Sequence, residues 1–284
     1  MNCMRLMIPS LSTLALSALA LIPLAASANP GALEINQDCV AVGCFAGDTA
    51  GYPITITAPG SYILTSDLAP PGSTSVNAIA ISATPVDIDL NGHTINGGGT
   101  CTGTPVTGCT GAAGARGLQF SDPGNGGVYH VHNGTVRGFS SDIGIPIFGA
   151  SDGTVLDHLT VTENSYGALI DGTTSYATTR IRDSQFVRNS QDGANTTNNP
   201  TALLIENSTA VGNGSAGFGM NAGSIAVGNR INKNGGVGLA CNSGCGLGQN
   251  TFSNNNGGGA SAQWSVTTLR DMGGNVCLEK ATCP

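Results

Sequence analysis

The sequence predicts an all-β fold, a single-stranded right-handed parallel β-helix, which is a solenoid with coils of about 21–26 residues. Three observations carry this reading. Segments ending at Gly98, Phe139, Asn164, Asn189, Asn213, Asn234 and Asn255 can be laid under one another, most of them 21 to 25 residues apart. Two columns in that alignment are apolar and a third is rich in Thr. The composition also disfavours helices, with 43 glycines, only 10% charged residues and no sustained 3.6-residue stripe after residue 28.

The columns define the coil. Three residues before each marker stand Ile95, Val136, Val161, Phe186, Ala210, Ile231 and Phe252. Eight before stand Leu90, Val131, Leu156, Ile181, Ile205, Ala226 and Leu247. Four before, and therefore outward, stand Thr94, Thr135, Thr160, Gln185, Thr209, Arg230 and Thr251. Side chains alternate across a strand, so these read as two buried ladders and one solvent ladder. Between the ladders a bend contains Asn133, Asn207, Asn229 and Asn250, a residue type that tolerates left-handed angles and can bond to its copy in the next coil. A glycine-led second strand follows each marker, as in Gly167-Ala168, Gly193-Ala194, Gly217-Phe218, Gly236-Val237 and Gly258-Gly259-Ala260.

In chain order, residues 1–28 read as a signal peptide. Arg5 precedes an apolar run to Ala25, and Ala26-Ser27-Ala28 has the small-x-small pattern of a cleavage site. The expected product is secreted or periplasmic, without a membrane span after cleavage. Residues 29–284 then form a single β-helix domain. Its N-terminal cap and first coils occupy 29–85, its repeat coils 86–262 and its C-terminal cap 263–284. The long gap from Gly98 to Phe139 holds a Gly/Ala-rich insertion and room for one extra coil, because Gly117-Leu118-Gln119-Phe120 looks like a second strand. Eight cysteines remain beyond the signal peptide, as neighbours Cys39/Cys44, Cys101/Cys109, Cys241/Cys245 and Cys277/Cys283. Local disulfides in an oxidising compartment are the simplest reading, although sequence does not fix connectivity.

Pro59–Leu68 (PGSYILTSDL), Val86–Gly97 (VDIDLNGHTING) and the repeats ending in Asn-x-x-Gly-apolar together resemble the pectin-lyase-like superfamily, with repeats of the carbohydrate-binding and sugar-hydrolase type. The likeness covers roughly residues 53–262. It implies a right-handed β-helix that interacts with polysaccharide on an outward sheet. The same grouping contains periplasmic metal-associated accessory proteins. A scaffold of this kind hosts many activities, so function has to be argued from side chains.

The outward positions seven and nine before each marker are unusually charged, reading Asp89/Asn91, His130/His132, Val155/Asp157, Arg180/Arg182 and Leu204/Glu206. His132, Asp157, Arg182 and Glu206 should therefore line up and are the catalytic candidates. Arg180 and Arg182 are candidates for pairing with glycan carboxylates. Asp87, Asp89, His130 and His132 are candidate metal ligands. Ca²⁺ is the ion that the aspartates suggest, although nothing in the sequence requires a cofactor. A net charge of −7 with Lys233 and Lys280 as the only lysines argues against nucleic acid as a partner. Three functions stay open: a polysaccharide-binding solenoid of the cell envelope or extracellular space, a lyase or glycoside hydrolase acting on an acidic glycan, and a metal-associated accessory protein. The sequence does not decide whether the protein is an enzyme, nor its oligomeric state.

Overall fold

Short runs of Ile, Val and Thr make strands, and the Gly and Asn residues between them make corners. The computed structural model describes residues 31–72, 75–111, 114–121, 127–148, 153–171, 178–197, 202–258 and 261–278. There the strands wind into a right-handed solenoid of about nine turns. Each coil contributes to two parallel ladders, fused into one 16-stranded sheet by the nine-residue strands Tyr129–Arg137 and Thr154–Thr162, and to a separate 9-stranded sheet. The first ladder, the charged arm, includes Gly60–Leu64, Val86–Asp89, Thr178–Arg182, Ala202–Glu206, Ile225–Val227 and Cys245–Gly248. The second, the threonine arm, includes Thr94–Asn96, Gln185–Val187, Thr209–Val211, Arg230–Asn232 and Thr251–Ser253. The 9-stranded sheet runs from Ile54–Ile56 to Trp264–Val266.

The predicted apolar columns are the core. Ile95, Val136, Val161, Phe186, Ala210, Ile231 and Phe252 are all fully buried and stacked in register. The second column holds from Val131 to Leu247, but Val131 pairs with Ile88 and not with Leu90. The cause is a longer turn. Residues 90–93 stand opposite Asn133 and Gly134 alone, between pairings at Asp89/His132 and Thr94/Thr135. Leu90 stays buried by filling the space beside Gly134, where a Cβ would come within 2.3 Å of Leu90 Cβ.

The gap between Gly98 and Phe139 holds one coil. Leu118–Phe120 is that coil's own third strand, next to Ile79–Ile81. The insertion is an antiparallel hairpin, Thr100–Gly103 with Val106–Thr110. It folds back along the solenoid, with the Val106 N–H donating to the Gly212 carbonyl at 3.0 Å and the Arg188 guanidinium donating to the Cys101 carbonyl. Disulfides join Cys39–Cys44, Cys101–Cys109 and Cys241–Cys245. Cys283, the expected partner of Cys277, lies outside the described residues, as do residues 1–28, the expected signal peptide. Among the described residues no helix is long and apolar enough to cross a membrane. Coil stacking runs past residue 262, through Leu269–Asp271 and Val276–Cys277, into the segment expected to be the cap.

The asparagines divide into two roles that the sequence reading had merged. Asn133 and Asn207 take left-handed angles, φ 60° and 47°, at the bend. Asn229 and Asn250 stand one position later and are buried, forming a ladder with Asn275. Ser184 and Ser208 continue that ladder toward the N-terminus. The marker asparagines form a second buried ladder, Asn164-Asn189-Asn213-Asn234-Asn255, capped by Gln263. From Asn189 onward each Oδ1 accepts the backbone N–H and the side-chain amide of the asparagine one coil earlier, both at 3.0 Å for Asn213, while Asn164 Oδ1 accepts the Phe139 N–H. This ladder explains the glycine-led strands. At Gly193 a Cβ would lie 2.6 Å from the Gly217 carbonyl and 3.1 Å from the Asn213 amide. In the coil after Gly217 that position belongs to Gly238, since Phe218 pairs with Leu239, and not to Gly236 as expected. Trp264 then pairs with Leu239, so Gln263 takes the place assigned to Gly258, and residues 259–260 lie outside the described residues.

Truncating one rung should cost more than truncating the solvent ladder. Asn213→Ala strands two buried donors of Asn189 and should lower the unfolding free energy by about 2 kcal/mol or more. Thr209→Ala, on the outward column, should cost less than about 1 kcal/mol. Denaturant titration of both variants checks this, and equal losses would contradict the ladder's role.

Candidate functional site

The charged arm presents one outward row per coil. Strand register places Asp87 beside His130 and Asp89 beside His132. His132 is followed in adjacent coils by Asp157, Arg182 and Glu206, as the sequence predicted. Arg180 stands in the parallel column, two residues away on the same face as Arg182. The predicted partners of the two histidines, Asp89 and Asn91, are replaced by Asp87 and Asp89, because the longer turn at residues 90–93 shifts that strand by two.

Two groups of side chains result. In the first, the His130 and His132 rings stack at 4.2 Å, and both reach Asp87 Oδ1: His130 Nδ1 at 2.8 Å and His132 Nε2 at 3.3 Å. Asp89 Oδ1 accepts the Asn91 N–H at 2.8 Å and the Asn133 side-chain amide at 3.3 Å. In the second, Asp157 is buried. Arg182 Nη2 donates to its Oδ2 at 2.7 Å, and His158 Nδ1 lies 2.6 Å from its Oδ1. Arg180 Nε pairs with Glu206 Oε2 at 3.2 Å, the arginine exposed and the glutamate half-buried. The groups meet where His130 Nε2 lies 3.9 Å from Asp157 Oδ2.

A shallow cleft of about 270 Å³ adjoins the first group, walled by Asp87 and His130 together with Ser61, Pro85, Val86 and Val128. Burial alone would push the Asp157 carboxyl up. The hydrogen bond and charge of Arg182, with His158, outweigh it and hold the group below the usual carboxylate range.

His158 is the residue that sequence reasoning missed. Strand alternation would turn it away from Asp157, but at φ 49° it occupies the left-handed bend and returns to the same face. The signal available was its position, since that bend falls six residues before every marker. Glu163 was also missed. It sits between Arg137 and Arg188 beyond the threonine arm and so helps to hold the hairpin-binding arginine.

Because Asp157 titrates lower when folded than unfolded, its contribution is present above the unfolded value near 3.8 and is lost as pH falls through the folded one. Wild type should therefore exceed Asp157→Asn in denaturation midpoint near neutrality. The gap should narrow as pH falls below that unfolded value and the carboxyl becomes protonated in both states. A gap that persists unchanged to low pH would show that the ion pair with Arg182 is not its source.

No protein-family model and no curated protein matches the chain. Among solved structures, 89% of the chain aligns with 79% of the A-module of a mannuronan C-5 epimerase from Azotobacter vinelandii, at 13% sequence identity and a TM-score of 0.41.

Proposed function

We propose that the protein is an exported solenoid of the cell envelope or extracellular space whose charged arm binds an acidic polysaccharide. The observation that carries this reading is the pair of half-exposed guanidinium groups, Arg180 and Arg182, side by side on one strand, on the face whose charged row crosses successive coils. Arginine presents a planar fork matched to carboxylates, and the coil spacing of about 4.8 Å lets an extended chain meet an equivalent position in each coil. Three local disulfides and the Ala26-Ser27-Ala28 pattern support export. A second reading, a lyase or glycoside hydrolase, draws on the imidazoles and carboxylates gathered beside the Asp87–His130 cleft, where acid–base groups would meet a sugar ring.

Arg182 is the wrong residue for a clean test. It neutralises buried Asp157, so its removal strands a carboxylate and costs stability as well as binding. Among the described residues Arg180 pairs with half-buried Glu206 at the surface of the sheet, an interaction worth about 0–1 kcal/mol. In affinity electrophoresis through polygalacturonate at low salt, Arg180→Ala should weaken retention about tenfold while its melting temperature stays at the wild-type value. Unchanged retention, or equal retention of the wild type by a neutral glucan, would reject the reading. Release of unsaturated products or new reducing ends from the same polymer would move it to the enzyme class.

A further inference from the structure

We propose that Asp87, His130 and His132 form a binding site for a borderline divalent transition-metal ion of the zinc class. The inference goes beyond the glycan reading and uses different residues.

The backbone builds the set before any ion arrives. His130 and His132 are two apart in one strand, so both imidazoles leave the same face. The neighbouring strand brings Asp87 level with His130. The three ligand atoms, His130 Nδ1, His132 Nε2 and one Asp87 oxygen, all lie within 4.8 Å of one another. A tetrahedral ion with bonds of 2.0–2.1 Å holds its ligand atoms roughly 3.3 Å apart. The His132–Asp87 separation is already 3.3 Å, and the His130–Asp87 separation of 2.8 Å needs to open only slightly.

The far side of each ring gives the independent argument. An imidazole that binds a metal through one nitrogen carries its proton on the other, and that proton needs an acceptor. His130 Nε2 is buried without a hydrogen-bond partner, and it faces Asp157 Oδ2 at 3.9 Å. His132 Nδ1 faces Asp89 Oδ1 at 3.7 Å and the Asn133 side-chain amide at 2.7 Å; turning that amide to present its oxygen to the ring exchanges its bond to Asp89 Oδ1 for one to the imidazole. Both rings thus have a carboxylate behind them and a shared carboxylate in front.

Donor chemistry selects the ion. Two nitrogens and one oxygen suit Zn²⁺, whereas Ca²⁺ takes six to eight oxygens, and Asp89 Oδ1 is engaged by the Asn91 N–H. Three protein ligands leave a fourth position, and the adjoining cleft of about 270 Å³ offers space for water or a ligand group there. Among the described residues the other cluster of this type, Asp157, His158 and Asp183, is a weaker competitor because Arg182 already neutralises Asp157.

The test is calorimetric titration of the tag-free, chelator-treated full chain with Zn²⁺ near neutral pH. The wild type should take up one equivalent that excess Ca²⁺ does not displace. Asp87→Asn and His132→Ala should each weaken it by more than about tenfold, and Asp89→Asn, acting through His132, by about tenfold. His93→Ala and His158→Ala should leave it unchanged. X-ray absorption of the zinc-loaded wild type, which depends on no variant folding, should count two imidazole ligands. No uptake by the wild type, an equivalent that survives both ligand substitutions, or one lost with His158→Ala would overturn the proposal.

Discussion

The buried asparagine ladder is the constraint on which the rest of the solenoid depends. A coil of three short strands must turn sharply, and at each turn backbone groups enter the interior without a strand partner. Leaving them unpaired would cost about 1–3 kcal/mol each. The marker asparagines remove that cost coil by coil: Asn189 Oδ1 accepts from Asn164, while its own amide donates to the Val161 carbonyl and to Asn213. Asparagine suits the position because its amide is both donor and acceptor and is short enough to reach its copy one coil away. Once the rungs are aligned, the strands on either side have no freedom to slip, and the glycines opposite them follow from lack of space.

Register then determines the outward chemistry. A slip of one residue would send His130 and His132 into the core and Val131 to solvent. Between ladders the turns are free to vary, and one of them does. The four residues Leu90–His93 fill a turn that Asn133 and Gly134 complete in the next coil, and this places Asp87 and not Asp89 between the two imidazoles. The meeting of carboxylate and histidines is therefore produced by a local change in turn length, buffered by Leu90 packing against Gly134.

These facts explain which parts of the molecule were legible in the sequence. Apolar columns are repeated in every coil, so Phe186 and Ile205 could be assigned inward from spacing alone. The row His132, Asp157, Arg182, Glu206 followed from the same count. The turn at residues 90–93 could not be counted, because a repeat aligned on its markers absorbs an insertion wherever it occurs, and Leu90 looks like the column residue that Ile88 is. The asparagines were visible as repeated letters, and bonding between copies was expected at the bend, but the marker asparagines that build the main ladder were read only as alignment points. Only the accounting of buried donors at a corner distinguishes Asn213, inside, from Asn207, outside. His158 needed the further knowledge that its position is a bend in every coil.

Asp157 links the two halves of the charged arm and makes their energetics inseparable. One of its oxygens receives Arg182 at 2.7 Å and lies 3.9 Å from His130 Nε2; the other meets His158. Because Arg182 holds it ionised despite burial, it offers a fixed negative charge behind His130, where a neutral acid would offer a weaker acceptor. Loss of Arg182 would therefore act twice. It would remove a guanidinium from the exposed row, and it would favour protonation of the buried carboxyl that faces the imidazole. The arginine pair and the histidine pair occupy different coils and carry different chemistry, but a single buried carboxylate is neutralised by one and faces the other.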